Sequence, residues 1–313
     1  MRKTWTVGLL LFALPLPWLN VAKRLAKTTA ANDVASINGA PRDGAPVETL
    51  EHRQSELDLE IAGNLPGFSP GTVRYISREE LLKLPRVTYT VADDANFAGK
   101  VEISGVLLSE LIKALAVPEV DRMVVAICVD QYQGHYPQEY IREHQPILAL
   151  TVNGLPPAKW PTNAEVRGGS MGPYLISHEK FNPSFKVLAH EDEPQIPWGV
   201  VRLEFRDEKA VLSAIAPRGP QAKDASLKAG YVIAQQNCFR CHDAGGEGGK
   251  KSGRPWQVLA AWAEASPQRF AAYVRNPLAV NAKSQMAGSP QYDDATMRAL
   301  IEYFKTFLPK GKT

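Results

Sequence analysis

Hydrophobic and polar positions alternate in short runs along the middle of the chain, and this pattern predicts a domain of mixed helices and strands. The run Met123–Val129 is almost entirely apolar and rich in β-branched residues, which is typical of a buried strand. Ser77 followed by Glu80 forms a capping-box pattern that predicts a short helix, and a second helix is predicted over Leu107–Leu115. Further strands are predicted at Val87–Val91, Lys100–Ile103, Ile147–Val152, Tyr174–Ile176 and Val200–Phe205.

The pattern becomes helical after the segment Pro217–Pro220, whose prolines and glycine are typical of a linker. One helix is predicted over Asp224–Gln236, and a second is opened by the pair Ser266-Pro267. The last helix begins at Asp293 or the residue after it. Its apolar positions share one face and are Met297, Leu300, Ile301, Phe304 and Leu308.

These patterns predict a multidomain chain in which an α+β domain is followed by an all-α domain. A length of 313 residues suits two domains of about 150 residues each. The predicted parts are an export signal or anchor at 1–30, a polar arm at 31–72, the α+β domain at 73–210, a linker at 211–222 and the all-α domain at 223–313.

The N-terminus has the order of charges found in an export signal. Arg2 and Lys3 precede an apolar stretch over residues 6–22, which is at the short limit for a membrane-spanning helix. We therefore expect export to the periplasm, either with cleavage near Ala30 or with residues 6–22 kept as an anchor in the inner membrane. An uncleaved anchor is the one membrane contact that we expect.

Charge is uneven along the chain, although the net charge is only +3. Residues 1–31 carry +5, residues 32–221 carry −8 and residues 222–313 carry +6. This distribution favours a protein partner over nucleic acid, because a nucleic-acid-binding protein shows a dominant basic stripe. With 44% hydrophobic residues and only three cysteines, the chain is an ordinary globular protein and not a disulfide-stapled miniprotein.

The segment Cys238-Phe239-Arg240-Cys241-His242 carries the clearest chemistry in the sequence. Two thiols at this spacing can each add to one vinyl group of a haem, and the following histidine is placed to ligate the iron. A structural disulfide and a zinc site are the alternatives. A zinc site needs about four ligands, and the remaining thiol, Cys128, belongs to the other predicted domain.

Methionine is a common second axial ligand of a haem iron, and His/Met ligation suits electron transfer. Met286 lies in a loop that also contains Gly288 and Pro290, and we expect it to be this ligand. Met297 falls on the apolar face of the last helix, where core packing is expected instead.

Residues 223–313 resemble a class I c-type cytochrome. Beside the cysteine motif, the features that carry the resemblance are Gly245–Gly249, Pro255-Trp256, Tyr273–Pro277, the Met286 loop and Leu300–Phe304. The resemblance implies one covalent haem c and a haem pocket that includes Pro255, Trp256 and Tyr273. It also implies a close crossing of the first and last helices, with Gly230 against Tyr303 or Phe304.

Residues 75–207 resemble the cofactor domain of sulfite-oxidase-type molybdopterin oxidoreductases. The features that carry this resemblance are Gly105–Leu111, Asp130-Gln131-Tyr132, Leu148–Gly154 and Met171–Ile176. That family binds molybdenum through the thiolate of a Cys-x-Gly-Asn-type segment, which this sequence lacks. The resemblance therefore implies a sulfite-oxidase-like fold for the middle domain and leaves its molybdopterin in doubt.

Asp130, Tyr132 and His135 follow the predicted strand Met123–Val129 and form a candidate ligand site, since sites often lie where a loop leaves a strand. The alternative is that these side chains satisfy backbone groups of the loop. No catalytic residue is assigned from the sequence.

We thus expect an exported electron-transfer protein whose middle domain serves as a docking or ligand-binding module. The alternative is a molybdopterin-dependent oxidoreductase of the sulfite dehydrogenase type that passes electrons to its own haem. The redox partner is expected to have an acidic docking surface, although the acidic middle domain competes for the same cations. The basic residues expected around the haem edge are Arg240, Lys250, Lys251, Arg254 and Lys283.

Overall fold

The computed structural model describes residues 47–161 and 170–308. The export signal or anchor expected over residues 1–30 lies outside these residues. The part of the chain that the structure describes contains no helix that is long and apolar enough to cross a membrane.

A mixed sheet of nine strands forms the first domain. The strands are β1 Leu59–Gly63, β2 Arg74–Ile76, β3 Val87–Val91, β4 Val101–Leu107, β5 Met123–Cys128, β6 Gln133–Tyr136, β7 Ile147–Val152, β8 Tyr174–Ser177 and β11 Trp198–Arg206. The short strands β9 Lys186–Val187 and β10 His190–Glu191 pair separately. The helices of this domain are α1 Arg78–Lys83, α2 Leu108–Ala114, α3 Gln138–His144 and α4 Glu208–Ser213.

The second domain is helical over the described residues. Its helices are α5 Ala225–Asn237, α6 Trp256–Ala265, α7 Pro267–Arg275, α8 Pro277–Val280 and α9 Asp294–Lys305. The α+β domain followed by an all-α domain matches the predicted order.

In the sheet of the first domain, the paired strands run in the order β2-β1-β11-β8-β7-β4-β3, with β5 beside β11 and β6 beside β5.

Local sequence signals located many of these elements correctly. Ser77 accepts a hydrogen bond from the Glu80 amide at 3.2 Å, which confirms the predicted helix start. The strands Val87–Val91 and Ile147–Val152 have the predicted bounds. Sequence analysis missed β6, which forms a hairpin with β5, and the short helix α3.

The predicted polar arm at 31–72 is wrong for its last part. β1 is a buried strand that pairs in parallel with β11, so the folded domain begins well before residue 73. The prediction failed because only Leu59 and Ile61 among neighbouring polar residues mark this strand, and its partner lies far along the chain.

The predicted linker at 211–222 is also partly wrong. α4 extends to Ser213, and both Val211 and Ile215 are buried. The Tyr303 hydroxyl donates to the Ile215 carbonyl, which attaches this segment to α9. The segment therefore belongs to the packed structure over its first half.

The strand β5 packs on both faces. Val124, Ala126 and Cys128 belong to the core of the sheet domain. Met123 and Val125 point the opposite way and pack in one cluster with residues of the helical domain, as the alternation of side chains along a strand requires. The helical domain therefore covers one face of this part of the sheet.

Helices α5 and α9 cross closely at Gly230, as the cytochrome resemblance implied. A Cβ atom at this position would lie 2.3 Å from the Ala299 carbonyl oxygen and 2.7 Å from Tyr303 Cβ. Tyr303, which is fully buried, is therefore the residue that faces the glycine.

We expect Gly230→Ala to destabilise the protein although alanine is the better helix former by about 1 kcal/mol. The added methyl group must push two helices apart, and overpacking of this kind costs about 1–3 kcal/mol. Thermal unfolding should show a lower Tm for this variant. Gly99→Ala is the matched control, because a Cβ at Gly99 meets no atom within 4 Å. An equal or higher Tm for Gly230→Ala would contradict the packing argument.

Candidate functional site

The cysteine motif continues the last turn of α5. The Cys238 amide donates to the Ala234 carbonyl at 2.9 Å, and the His242 amide donates to the Cys238 carbonyl at 3.0 Å. Residues three and four apart on a helical turn lie on the same face. The structure thus brings Cys238, Cys241 and His242 together on one turn, with both thiols free.

The His242 ring is held in one orientation. Its Nδ1 atom lies 2.6 Å from the Arg254 carbonyl oxygen, which can only accept, so Nδ1 carries the proton. The Nε2 atom is then left with the lone pair that a metal ligand needs. Burial lowers the pKa of His242, which favours the neutral imidazole.

The glycine-rich stretch packs tightly against the motif. Gly248 has a φ of +84°, and a Cβ there would lie 2.5 Å from the Phe239 ring. The Gly249 amide donates to the Phe239 carbonyl at 2.9 Å. Only glycine fits at position 248, because the backbone is left-handed and the ring leaves no room.

A cavity of about 530 Å³ lies beside the segment that holds His242. Its lining combines aromatic and apolar side chains with two guanidinium groups and consists of Arg254, Val258, Trp262, Arg269, Tyr273, Val280 and Asn281. Apolar residues on neighbouring elements are unusually exposed, with Val258 at 43%, Leu278 at 60% and Met286 at 36%. An apolar macrocycle with two carboxylates fits this chemistry, because it would cover the apolar side chains and place its carboxylates near the cations.

The loop of Met286 is tied to the same cavity. The Met286 amide donates to Ser284 Oγ at 3.2 Å, and Ser284 Oγ lies 2.8 Å from the Tyr273 hydroxyl. Met297 is buried in α9, as predicted for a core residue. Of these two methionines, Met286 is therefore the one with an accessible thioether.

The three expected pocket residues have different positions. Tyr273 lines the cavity, whereas Trp256 is fully buried behind it and packs on Phe304 with ring centroids 5.0 Å apart. Pro255 is the N-cap of α6. Sequence analysis missed Trp262, Val258 and Arg269, and the apolar spacing of Trp256, Leu259, Ala260 and Ala263 is the signal that would have located α6.

The candidate ligand residues of the middle domain all meet the helical domain. Asp130 pairs with Lys251 at 2.6 Å, and the Lys251 ammonium lies 5.8 Å from the centre of the Tyr132 ring. The buried His135 ring stacks on Phe239 with centroids 4.6 Å apart. The structure therefore brings the three residues together in a domain interface.

Backbone hydrogen bonds join the same two segments. The Gln133 amide donates to the Arg240 carbonyl, and the Lys250 amide donates to the Gln131 carbonyl, both at 2.9 Å. The cysteine motif is thus held by the turn between β5 and β6.

The expectation of an exposed basic patch is wrong for Arg240, and a second of its five residues, Lys251, is exposed but already paired. Arg240 is mostly buried, and its guanidinium lies 3.4 Å from the Glu193 carboxylate, while Lys251 is paired with Asp130. The physical reason is that Glu193 and Asp130 of the middle domain form ion pairs with these two cations within the same chain. Lys250, Arg254 and Lys283 are exposed.

The cysteine of the middle domain is enclosed. Cys128 is buried in the sheet core, and burial raises the pKa of its thiol far above the usual range. Within the described residues, no group of three or more His, Cys, Asp and Glu side chains is arranged to hold a metal ion.

Comparison with known proteins agrees with the geometry of the helical domain. Residues 225–304 match the family described as cytochrome c oxidase, cbb3-type, subunit III. No curated protein sequence matches the chain.

Among solved structures, the chain is similar to the sulfane dehydrogenase SoxCD from Paracoccus pantotrophus, with 18% identity and a TM-score of 0.34. This match covers 55% of the chain, and it spans only 45% of that structure's chain. A likeness at this level gives no basis for transferring an activity.

The family match and the motif geometry lead to the same conclusion for the C-terminal part of the chain. The protein joins a sheet-containing α+β domain to a cytochrome c domain, which implies a covalently bound haem c and a role in electron transfer.

Proposed function

We propose that the protein is an exported electron carrier whose single haem c is bound through thioethers to Cys238 and Cys241. His242 and Met286 are the proposed axial iron ligands. The observation that carries this proposal is the helical turn that presents both thiols and an imidazole whose Nδ1 proton is fixed by the Arg254 carbonyl. The bound haem supplies a reversible one-electron change between ferric and ferrous iron.

The chain's own residues have separate roles in this proposal. The Arg254 carbonyl orients the His242 ring, so that its free nitrogen keeps one direction. Trp262 and Tyr273 exclude water from the cavity by their rings, and the guanidinium groups of Arg254 and Arg269 balance carboxylate charge. Ser284 positions the Met286 loop through its contact with Tyr273.

The middle domain acts in this proposal as a fixed docking module for the cytochrome. Its support is the shared packing of β5 with the helical domain and the ion pairs at Asp130 and Glu193. A module held in this way keeps the haem domain in one position. A cytochrome domain joined through a flexible linker would instead move freely.

The external redox partner is proposed to present an acidic surface. The cations that the middle domain leaves exposed near the cavity are Arg254, Arg269 and Lys283. Weak redox interfaces are small and transient, and a basic rim of this kind speeds encounter with an acidic protein.

A periplasmic location is proposed from the N-terminal pattern. A basic start followed by an apolar stretch over residues 6–22 is the order of an export signal or an anchor. The family match agrees, since c-type cytochrome domains of this kind are typically exported.

One observation favours the second candidate, a molybdopterin-dependent oxidoreductase. Cys128 ends β5, and Asp130 two residues later pairs with Lys251 of the cytochrome domain, so a group on this thiol would lie near the domain interface. The burial of Cys128 opposes this candidate, because no cofactor reaches a thiol enclosed in the sheet core without displacing neighbours.

Haem attachment is expected to depend on both motif thiols. Cys238→Ala and Cys241→Ala should each retain at most one thioether, and the double variant should lose its haem on denaturation. Mass spectrometry of the denatured chain measures this, and Cys128→Ala is the matched control that should keep both bonds. A wild-type chain without covalent haem would refute the proposed function. Stoichiometric molybdenum in the same preparation, lost in Cys128→Ser, would favour the oxidoreductase.

Replacement of the proposed distal ligand should change the spectrum and the potential. Met286→Ala should lose the near-infrared sulfur-to-iron band of the ferric protein and should lower the midpoint potential, because a thioether favours ferrous iron. Met297→Leu is the control and should keep the band, since Met297 is buried in the core. The opposite pattern would exclude Met286 as the ligand.

Electron transfer with an acidic redox protein should slow as the ionic strength rises, because salt screens exposed charges. At low salt, Lys283→Glu should reduce the stopped-flow rate by about tenfold, within the range of electrostatic steering. Lys228→Glu, which changes an exposed lysine on α5, should have a smaller effect. An electron-transfer rate that changes neither with ionic strength nor in the Lys283→Glu variant would rule out this docking surface.

A further inference from the structure

The carboxylate of Glu193 reaches across the domain interface to the haem-attachment motif. It belongs to the segment between β10 and β11 of the middle domain. One oxygen accepts a hydrogen bond from Asn237 Nδ2 at 3.3 Å, and the other lies 3.4 Å from the Arg240 guanidinium. Asn237 and Arg240 lie on either side of Cys238 in the sequence, so the carboxylate contacts the turn that carries the first thiol of the motif.

This position is electrostatically unusual for a carboxylate. Glu193 meets α5 at its C-terminal end, where the helix dipole is negative and a carboxylate is unfavourable. The compensating charge is Arg240, which is itself mostly buried. The His190 ring also faces Glu193, at 3.7 Å. The middle domain therefore inserts a negative charge where the local backbone opposes one.

We propose that Glu193 lowers the midpoint potential of the haem, so that the middle domain tunes the redox centre that it covers. The proposal rests on the proposed function. Oxidation of the haem adds one positive charge to the iron, and a nearby carboxylate stabilises that charge. The stabilisation is larger in a partly buried site than at an exposed position, because less water and salt screen it.

Arg240 belongs to the motif itself, and its guanidinium pairs with Glu193 rather than with an acidic residue of its own domain. Glu193 therefore offsets the electrostatic effect of the motif's own arginine.

The test is the midpoint potential of the full-length haem-loaded protein at neutral pH, measured by spectroelectrochemical titration. Glu193→Gln should raise the potential, because it removes the charge and keeps nearly the same shape. Glu193→Asp keeps the charge and should stay close to the wild type. The rise in Glu193→Gln should persist at high salt, since the group is partly buried.

Two matched controls separate charge from loosening of the interface. Glu191→Gln removes an exposed carboxylate of β10 that pairs with Lys186. Glu247→Gln breaks the interdomain ion pair with Arg206 and leaves the pair of Glu193 with Arg240 in place. Both variants should keep the wild-type potential.

The outcomes are distinct. An unchanged potential in Glu193→Gln, or an equal rise in Glu193→Asp or Glu247→Gln, would overturn the tuning role while covalent haem is still present. Absence of covalent haem from the wild type would instead overturn the proposed function. If Glu193→Gln fails to fold, Glu193→Ala replaces it: a raised potential beside an unchanged Glu247→Gln value would support the role, and an unchanged potential would overturn it.

Discussion

The relation between the two domains depends on the burial of both faces of β5. Alternate residues of this strand enter two different hydrophobic clusters, one within the sheet domain and one shared with the helical domain. Separation of the domains would expose Met123 and Val125 together with their partners. Full burial of an apolar side chain of this size is worth about 1.5–3 kcal/mol, so several such residues hold the helical domain against the sheet.

Charged groups at the same interface are compatible with this burial because the cations are paired with carboxylates and the buried histidine is neutral. Burial lowers the pKa of His135 to about 3, and the nearby Arg240 cation contributes to the shift. The ring is therefore neutral near neutral pH and stacks on Phe239 without adding a second cation beside Arg240. Asp130 and Glu193 supply the opposite charges that Lys251 and Arg240 need.

The sequence predicted local features well and long-range features poorly. The capping of α1, the run of β5 and the helical turn of the cysteine motif depend on residues close together in the chain, and each was predicted. The strand β1 was placed outside the folded domain because its partner β11 lies far along the chain. The cavity wall at Trp262 and the ion pairs of Arg240 and Lys251 were missed for the same reason, since spacing alone does not reveal which residues meet across an interface.

The parallel pairing of β1 with β11 has a consequence for the order of folding. Glu60 and Arg202 are opposite each other in this pairing and lie 142 positions apart in sequence. Closing a loop of this length carries an entropic cost before the pairing stabilises anything, which slows folding. Helices α5 to α9, by contrast, all lie within residues 225–305, and the crossing of Gly230 with Tyr303 closes a loop of only 73 positions. During synthesis β1 therefore emerges long before its partner, and the sheet is completed only when most of the chain is present.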